Sequence, residues 1–281
     1  MSHHLSCRIS DSLWSALRAE AERTGDSVSH VVQRALSDAL DLEHHSIFQL
    51  STSGAIVNGV FQGCATVGDL KSHGDLGIGT FEDLDGELVL AGGRCFQAGV
   101  DGVTTEVADD QRVPFATVTR FRADRTTRLT GIETIDGLYE RLDGLRPSEN
   151  VFVALQLDGL FERVDLRAAR KALPGEDLVT ATSRQSEFGF DDIEGTLVGF
   201  WTPSYAKAVG VAGYHLHFIS ADRRFGGHLI DVRAAELSVG LHLETDIHVA
   251  IPETEAFLRA DLSDDPSPAM EIAERGFVHD R

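Results

Sequence analysis

The sequence predicts an α+β protein dominated by strands: a mixed or antiparallel β-sheet domain preceded by a small strand-helix-helix module. Three observations predict it. Runs of alternating or β-branched apolar residues recur from Ile47 to Ile251. Turn signals such as Asp85-Gly86 and Asp158-Gly159 punctuate those runs. Helical periodicity with capping residues is concentrated before residue 42, with only short helical stretches after it.

In chain order, residues 4–10 alternate, with Leu5, Cys7 and Ile9 on one face and Ser6, Arg8 and Ser10 on the other. A helix follows from Asp11 to Thr24, with Ser10 or Asp11 as N-cap and Gly25 as its stop. A second starts at the N-cap Ser27 and carries Val28, Val31, Val32, Ala35, Leu36, Ala39 and Leu40 in helical register. This pattern over residues 4–42 resembles the ribbon-helix-helix DNA-binding domains. The resemblance implies a dimer with paired strands, in which Ser6 and Arg8 would face a major groove. Against DNA binding, residues 1–44 hold four arginines and seven acids, a net negative segment. Dimerisation alone and DNA binding through residues 4–42 both stay open.

A polar joint, Glu43-His44-His45-Ser46, divides the chain into residues 1–44 and 45–281. Beyond it, strands are expected at Ile47–Thr52, Val113–Thr119, Val151–Leu157, Phe161–Arg167, Gly195–Trp201, Gly213–Phe218, His228–Val232, Leu237–Leu243 and Ile247–Ile251. Leu84 to Leu90 reads as a hairpin turning at Asp85-Gly86, and Asp158-Gly159 as a turn between two strands. Short helices are expected at Val67–His73, Ile132–Arg141 and Pro266–Glu274. The glycines around Gly77-Ile78-Gly79 precede no lysine and open no helix, which argues against a phosphate loop.

Composition narrows the function. The formal charge of −20 disfavours general binding to a phosphate backbone. No apolar run approaches the roughly 20 residues that span a bilayer, and no signal-peptide pattern opens the chain, so a cytoplasmic protein without a membrane partner is expected. Cys7, Cys64 and Cys95 are odd in number and scattered, which points to small buried residues rather than disulfides or a cysteine-bound metal. Only Lys71, Lys171 and Lys207 are available for Schiff-base chemistry.

The stretch most suggestive of chemistry is Gly213-Tyr214-His215-Leu216-His217-Phe218, followed by Gly226-Gly227-His228. On a strand, His215 and His217 share one face, and a returning strand would bring His228 level with them. Three converging imidazoles with a fourth position open is how a catalytic zinc is held. Two half-exposed strand histidines and a turn histidine would give the same spacing. The third histidine beside a glycine pair favours the metal.

Several long stretches carry a broader resemblance: His73-Gly74-Asp75-Leu76-Gly77-Ile78-Gly79-Thr80-Phe81, Leu84-Asp85-Gly86-Glu87-Leu88, Pro114-Phe115-Ala116, Gly195-Thr196-Leu197-Val198-Gly199-Phe200, the two histidine segments and Arg223-Arg224-Phe225. From residue 47 to about 275 the chain resembles the α-acetolactate decarboxylases. The resemblance implies a zinc enzyme that converts 2-acetolactate to (R)-acetoin and carbon dioxide, with His215, His217 and His228 as metal ligands. It also implies Glu87, Arg167 and Glu274 as catalytic residues, with Glu271 close to the last, and Thr80 near the substrate. The segment after Arg167 departs from the family pattern, lacking its glutamine and Pro-Tyr-Pro run, and Phe96 stands where a tyrosine is usual. Both resemblances imply a dimer, and two different interfaces would build a tetramer.

Two other functions fit parts of the sequence. One is a DNA-binding regulator with a ligand-sensing domain derived from the decarboxylase. The retained histidines, Glu87 and Arg167 argue against it. The other is a cupin-like metal dioxygenase, which also uses an H-x-H strand but adds a glutamate shortly after. Between Phe218 and Arg224 only Asp222 is acidic.

Overall fold

The computed structural model describes residues 6–25, 27–39 and 45–275. The chain forms two compact units that meet in sequence between His44 and His45.

In the first unit, α1 (Asp11–Thr24) is capped by Ser10, whose hydroxyl accepts from the Leu13 amide at 3.3 Å, and ends at Gly25 in the left-handed conformation. α2 is Val28–Ala39, and the His30 amide donates to the Ser27 hydroxyl at 3.1 Å. Both starts and the first stop fall where the capping residues predict. The expected strand over residues 4–10 is not formed in its described part, Ser6–Ser10, and its first residues lie outside the described ones. A lone strand leaves its backbone donors and acceptors without a ladder.

The second unit contains two large sheets. The first is built from β1 (Ser46–Leu50), β3 (Leu76–Thr80), β4 (Glu87–Ala91), β5 (Arg94–Ala98), β6 (Thr104–Glu106), β8 (Phe115–Thr119) and β14 (Asp246–Ala250), with a small pair β2 (Ala65–Thr66) and β7 (Arg112–Val113) beside it. Its order is β14-β1-β8-β3-β4-β5-β6, antiparallel except for the β1–β14 pair. The second sheet comprises β9 (Arg125–Ile132), β10 (Phe152–Ala168), β11 (Ser186–Thr202), β12 (Gly213–Ser220) and β13 (Gly226–Glu244), in the order β10-β11-β12-β13-β9. Strand β10 also pairs with β13, so β10, β11, β12 and β13 close into a ring. Short helices α3 (Ser53–Val57), α4 (Val67–His73), α5 (Ile135–Asp143), α6 (Leu178–Thr182), α7 (Glu255–Arg259) and α8 (Ser267–Arg275) complete the unit. None of the described helices is long and apolar enough to cross a membrane.

The core lies between and within the sheets. Ile78, Val89 and Phe96 of the first sheet pack against Val198, Phe200 and Ile219 of the second. A second cluster, around Leu155, Phe161, Phe218 and Val239, involves all four strands of the ring. The strand-dominated α+β class read from the alternation therefore holds.

Several element boundaries move. The Asp158-Gly159 turn is absent: β10 runs straight through it. Asp158 is satisfied inside the sheet by the Thr196 hydroxyl (2.7 Å) and the Gln156 amide (2.8 Å). A Cβ on Gly159 would lie 2.8 Å from the Leu237 side chain, so this glycine permits close strand packing. The strands expected at 228–232 and 237–243 are one strand, β13. Ile132 ends β9, and the helix starts later, at Ile135 behind the N-cap Thr134. The Leu84 hairpin is a wider connection, β3 to β4, containing a 3₁₀ turn at Glu82–Leu84. Of the cysteines, Cys95 alone is buried; Cys64 is half-buried and Cys7 exposed, all three unbridged.

Candidate active site

The hairpin β12–β13 sets the histidines by register. Strand alternation sends Tyr214, Leu216 and Phe218 into the core cluster and turns His215 and His217 to the other face. His217 lies directly opposite His228 across the hairpin. His228 in turn lies opposite Arg167 on β10. One row of the ladder therefore carries His217, His228 and Arg167 side by side. Gly199 on β11 lets β12 approach closely beside His215, because a Cβ there would collide with the His215 carbonyl.

The three imidazoles converge, with one nitrogen of each lying within 4.8 Å of the others. His215 Nε2 and His217 Nε2 are 3.1 Å apart. His217 Nδ1 lies 2.9 Å from the Leu88 carbonyl, and a carbonyl only accepts, so Nδ1 carries the proton and Nε2 bears a lone pair. Two nitrogens held at about 2.0–2.1 Å by one tetrahedral zinc stand about 3.3 Å apart. The observed spacing, the carbonyl brace on the far nitrogen and the donor set all fit such an ion. Protonation is disfavoured throughout. Burial, followed by the Arg167 charge, pushes His215 down to about 3. His217 and His228 also lie well below the ordinary imidazole value, chiefly through burial. Neutral imidazole is the form that binds metal.

Two carboxylates approach from different elements. Glu87 opens β4, opposite Thr80, and its Oε2 is 3.7 Å from His217 Nε2 while its Oε1 accepts the Ala169 amide at 3.0 Å. Burial pushes Glu87 up to about 7, against the Arg167 charge and the Ala169 hydrogen bond. Glu274 comes from α8. Its Oε2 is 3.4 Å from His228 Nε2, 3.8 Å from His215 Nε2 and 3.6 Å from Arg167 Nη2. Burial raises it too, with Arg167 opposing. Glu271, the other glutamate of that helix, is exposed.

Arg167 is 3% exposed. Its Nη1 donates to Gln185 Oε1 at 2.8 Å and its Nη2 to the Glu274 carbonyl at 3.3 Å. Thr80 lines the same space, and its hydroxyl donates to the Gly86 carbonyl at 2.8 Å, bracing the connection that delivers Glu87. These groups surround a cavity of about 60 Å³, room for a few waters or a small polar molecule. Ile56, Leu84, Phe115, Leu178, Val211 and Met270 form its apolar wall.

The structure thus brings together His215, His217, His228, Glu87, Arg167, Glu274 and Thr80, and leaves Glu271, the alternative to Glu274, exposed. Sequence reasoning missed Gln185, the Leu88 carbonyl, the Ala169 amide and the apolar wall. No spacing rule reaches them, because they come from segments that meet only in the folded chain. A second polar cluster, His45, Asp124 and His242, also has donor atoms within 4.8 Å of one another. Its atoms are tied to backbone: His45 Nδ1 to the Leu243 carbonyl (2.5 Å), Asp124 Oδ2 to the Leu243 amide (2.8 Å) and His242 Nδ1 to the Arg122 amide (3.2 Å).

Comparison with known proteins agrees with this architecture. Residues 47–264 match the family described as alpha-acetolactate decarboxylase, a span that stops short of Glu274. The alpha-acetolactate decarboxylase of Methanosarcina mazei is 39% identical over 89% of this chain and 86% of its own length. That of Methylococcus capsulatus is also 39% identical, over 88% of this chain and 95% of its own. The crystal structure of the Bacillus subtilis alpha-acetolactate decarboxylase superposes with a TM-score of 0.79 at 35% identity, covering 82% of this chain and all of that one. The chain belongs to the alpha-acetolactate decarboxylase family and is an enzyme of the carboxy-lyase class.

Proposed function

We propose that the chain decarboxylates 2-acetolactate to (R)-acetoin and carbon dioxide at this cavity, with one zinc held by His215, His217 and His228. The observation that carries the reading is the convergence of three neutral imidazoles with one another, beside a small cavity lined by His215, His228, two carboxyls and a buried guanidinium. Zinc bound there supplies a Lewis acid for the ketone oxygen of the substrate.

The remaining steps belong to the side chains. Loss of carbon dioxide breaks the bond between the carboxylate carbon and C2, and the electron pair spreads from C2 towards the neighbouring ketone oxygen. Arg167 binds the carboxylate and so orients the bond that breaks. Arg167 lines the cavity, and among the described residues its Nε has no hydrogen-bond partner. A proton must then reach C2 from one side to set a single stereoisomer. Burial raises both Glu87 and Glu274 above the ordinary carboxyl value, so both are suited to hold the proton. The apolar wall limits water access to the electron-rich carbon.

Purified protein incubated with 2-acetolactate should release carbon dioxide and form (R)-acetoin. A chelator should stop the reaction and added zinc restore it. Activity unchanged after complete metal removal would refute the zinc assignment, and racemic acetoin would refute one-sided proton delivery.

The first unit invites a second proposal, self-association. Its described side chains bury only Ala21 and Val31 of their apolar residues, while Leu13 and Trp14 are 49% and 47% exposed. Two short helices cannot bury a core alone. Deleting residues 1–44 should lower the molecular mass in solution while leaving acetoin formation intact. A salt-dependent shift of genomic DNA, lost in Arg8→Ala, would instead support the DNA-binding reading.

A further inference from the structure

Arg167 sits in the ladder row with His228 on one side and Glu187 of β11 on the other. Its guanidinium is held at two points. Gln185, the last residue of the connection between α6 and β11, accepts from Nη1 at 2.8 Å, and the Glu274 carbonyl accepts from Nη2 at 3.3 Å. Gln185 is itself fixed: its backbone amide donates to the Thr182 carbonyl at 3.0 Å, and its Nε2 donates to Glu187 Oε1 at 3.2 Å. The amide has one possible orientation, because a guanidinium only donates and an ionised carboxylate only accepts. The guanidinium is planar, so fixing Nη1 and Nη2 also fixes the direction of Nε. Gln185 does not line the cavity.

We infer that Gln185 is a positioning residue for the decarboxylation. Through Oε1 it holds the Arg167 guanidinium in one orientation beside the cavity, and Glu187 keeps the Gln185 amide from turning over. The inference rests on the reading of Arg167 as the carboxylate contact. It assigns a functional load to a turn that lies between two elements and contributes nothing to the metal cluster. Without Gln185, the Nη1 face would lose its fixed acceptor, and Arg167 would have other orientations that present no donor to the substrate.

The test is a double-mutant cycle on the full-length zinc-loaded enzyme, with Gln185→Met, which keeps the side-chain length, and Arg167→Lys, whose ammonium cannot match the fork. The readouts are kcat, KM and competitive inhibition by 2-hydroxyisobutyrate, an unreactive hydroxy acid. Gln185→Met should lower kcat/KM and weaken the inhibitor about tenfold each, as expected for losing one hydrogen bond to a charged group. In the Arg167→Lys background the same change should have less than about a twofold effect, because Gln185 acts only through the guanidinium. Gln185→Glu, which restores an acceptor at this place, should recover part of the loss if the methionine variant folds poorly. Wild-type kinetics in Gln185→Met, or an undiminished loss in the Arg167→Lys background, would overturn the inference. If Arg167→Lys itself leaves catalysis and inhibitor binding unchanged, the reading of Arg167 fails, a result distinct from the failure of Gln185 alone.

Discussion

Two groups of histidines in the same unit have similar spacing and opposite character. In the group around His217, the ring nitrogens face one another at a cavity and are flanked by Glu87, Glu274 and Arg167. In the group around His242, the nitrogens His45 Nδ1 and His242 Nδ1 are engaged with the backbone at residues 243 and 122. The second group fastens the start of β1 and the 120–124 connection to β13. Proximity of imidazoles therefore says little by itself. What separates a site from a brace is whether the near nitrogens are left facing a space that a ligand can enter.

The sharpest break between the two is predicted for alanine substitution. His217→Ala should lower kcat at least about a thousandfold and reduce bound zinc from one per chain to near none, measured by elemental analysis. His242→Ala should leave zinc content at one and kcat within about threefold. It should lower Tm, because the Arg122 amide loses its acceptor in a part-buried hydrogen bond, at a cost of about 1 kcal/mol. Loss of a second zinc in His242→Ala would erase the distinction.

Next in size are the carboxylates. Glu87→Gln should reduce kcat about a hundredfold, the usual scale of general acid–base catalysis, with zinc retained. Glu274→Gln should act on the same step. The variant that also lowers the enantiomeric purity of acetoin identifies the carboxyl that delivers the proton.

The smallest effect belongs to the bracing region and reads out as stability against pH. Burial, reinforced by Asp124 and Asp246, pushes Glu244 up to about 8 against the pull of the Thr119 hydroxyl. Its carboxyl lies 3.8 Å from His242 Nδ1. A carboxyl whose folded value is raised above its unfolded value favours folding most at low pH. That contribution is lost as pH rises from about 4.5, where the unfolded chain ionises, to about 8. Glu244→Gln should flatten this decline, raising Tm at pH 8.5 by roughly 5 °C relative to the parent. An unchanged slope of Tm against pH would show that Glu244 is not the group responsible.

The sequence by itself determined the strand-rich class, both helices of the first unit and the histidine hairpin. Each rests on local periodicity or capping: alternation separates His215 and His217 from Leu216 and Phe218 whatever the rest of the chain does, and Ser10, Ser27 and Gly25 act within one turn. Glu87 was reached through one of the longer motifs, and Arg167 and Glu274 only through the family resemblance, since an exposed charged residue and a buried one look alike in sequence. Tertiary structure alone decided the rest. Asp158-Gly159 reads as a turn until Thr196 and Leu237 of neighbouring strands satisfy and crowd it into a continuous β10. Gln185 reaches Arg167 only because β10 and β11 are neighbours in the ring, and Glu274 reaches His228 only because α8 brings it there. Burial, which shifts Glu87 and the three imidazoles, is a property of packing from several segments at once, and no short window of sequence contains it.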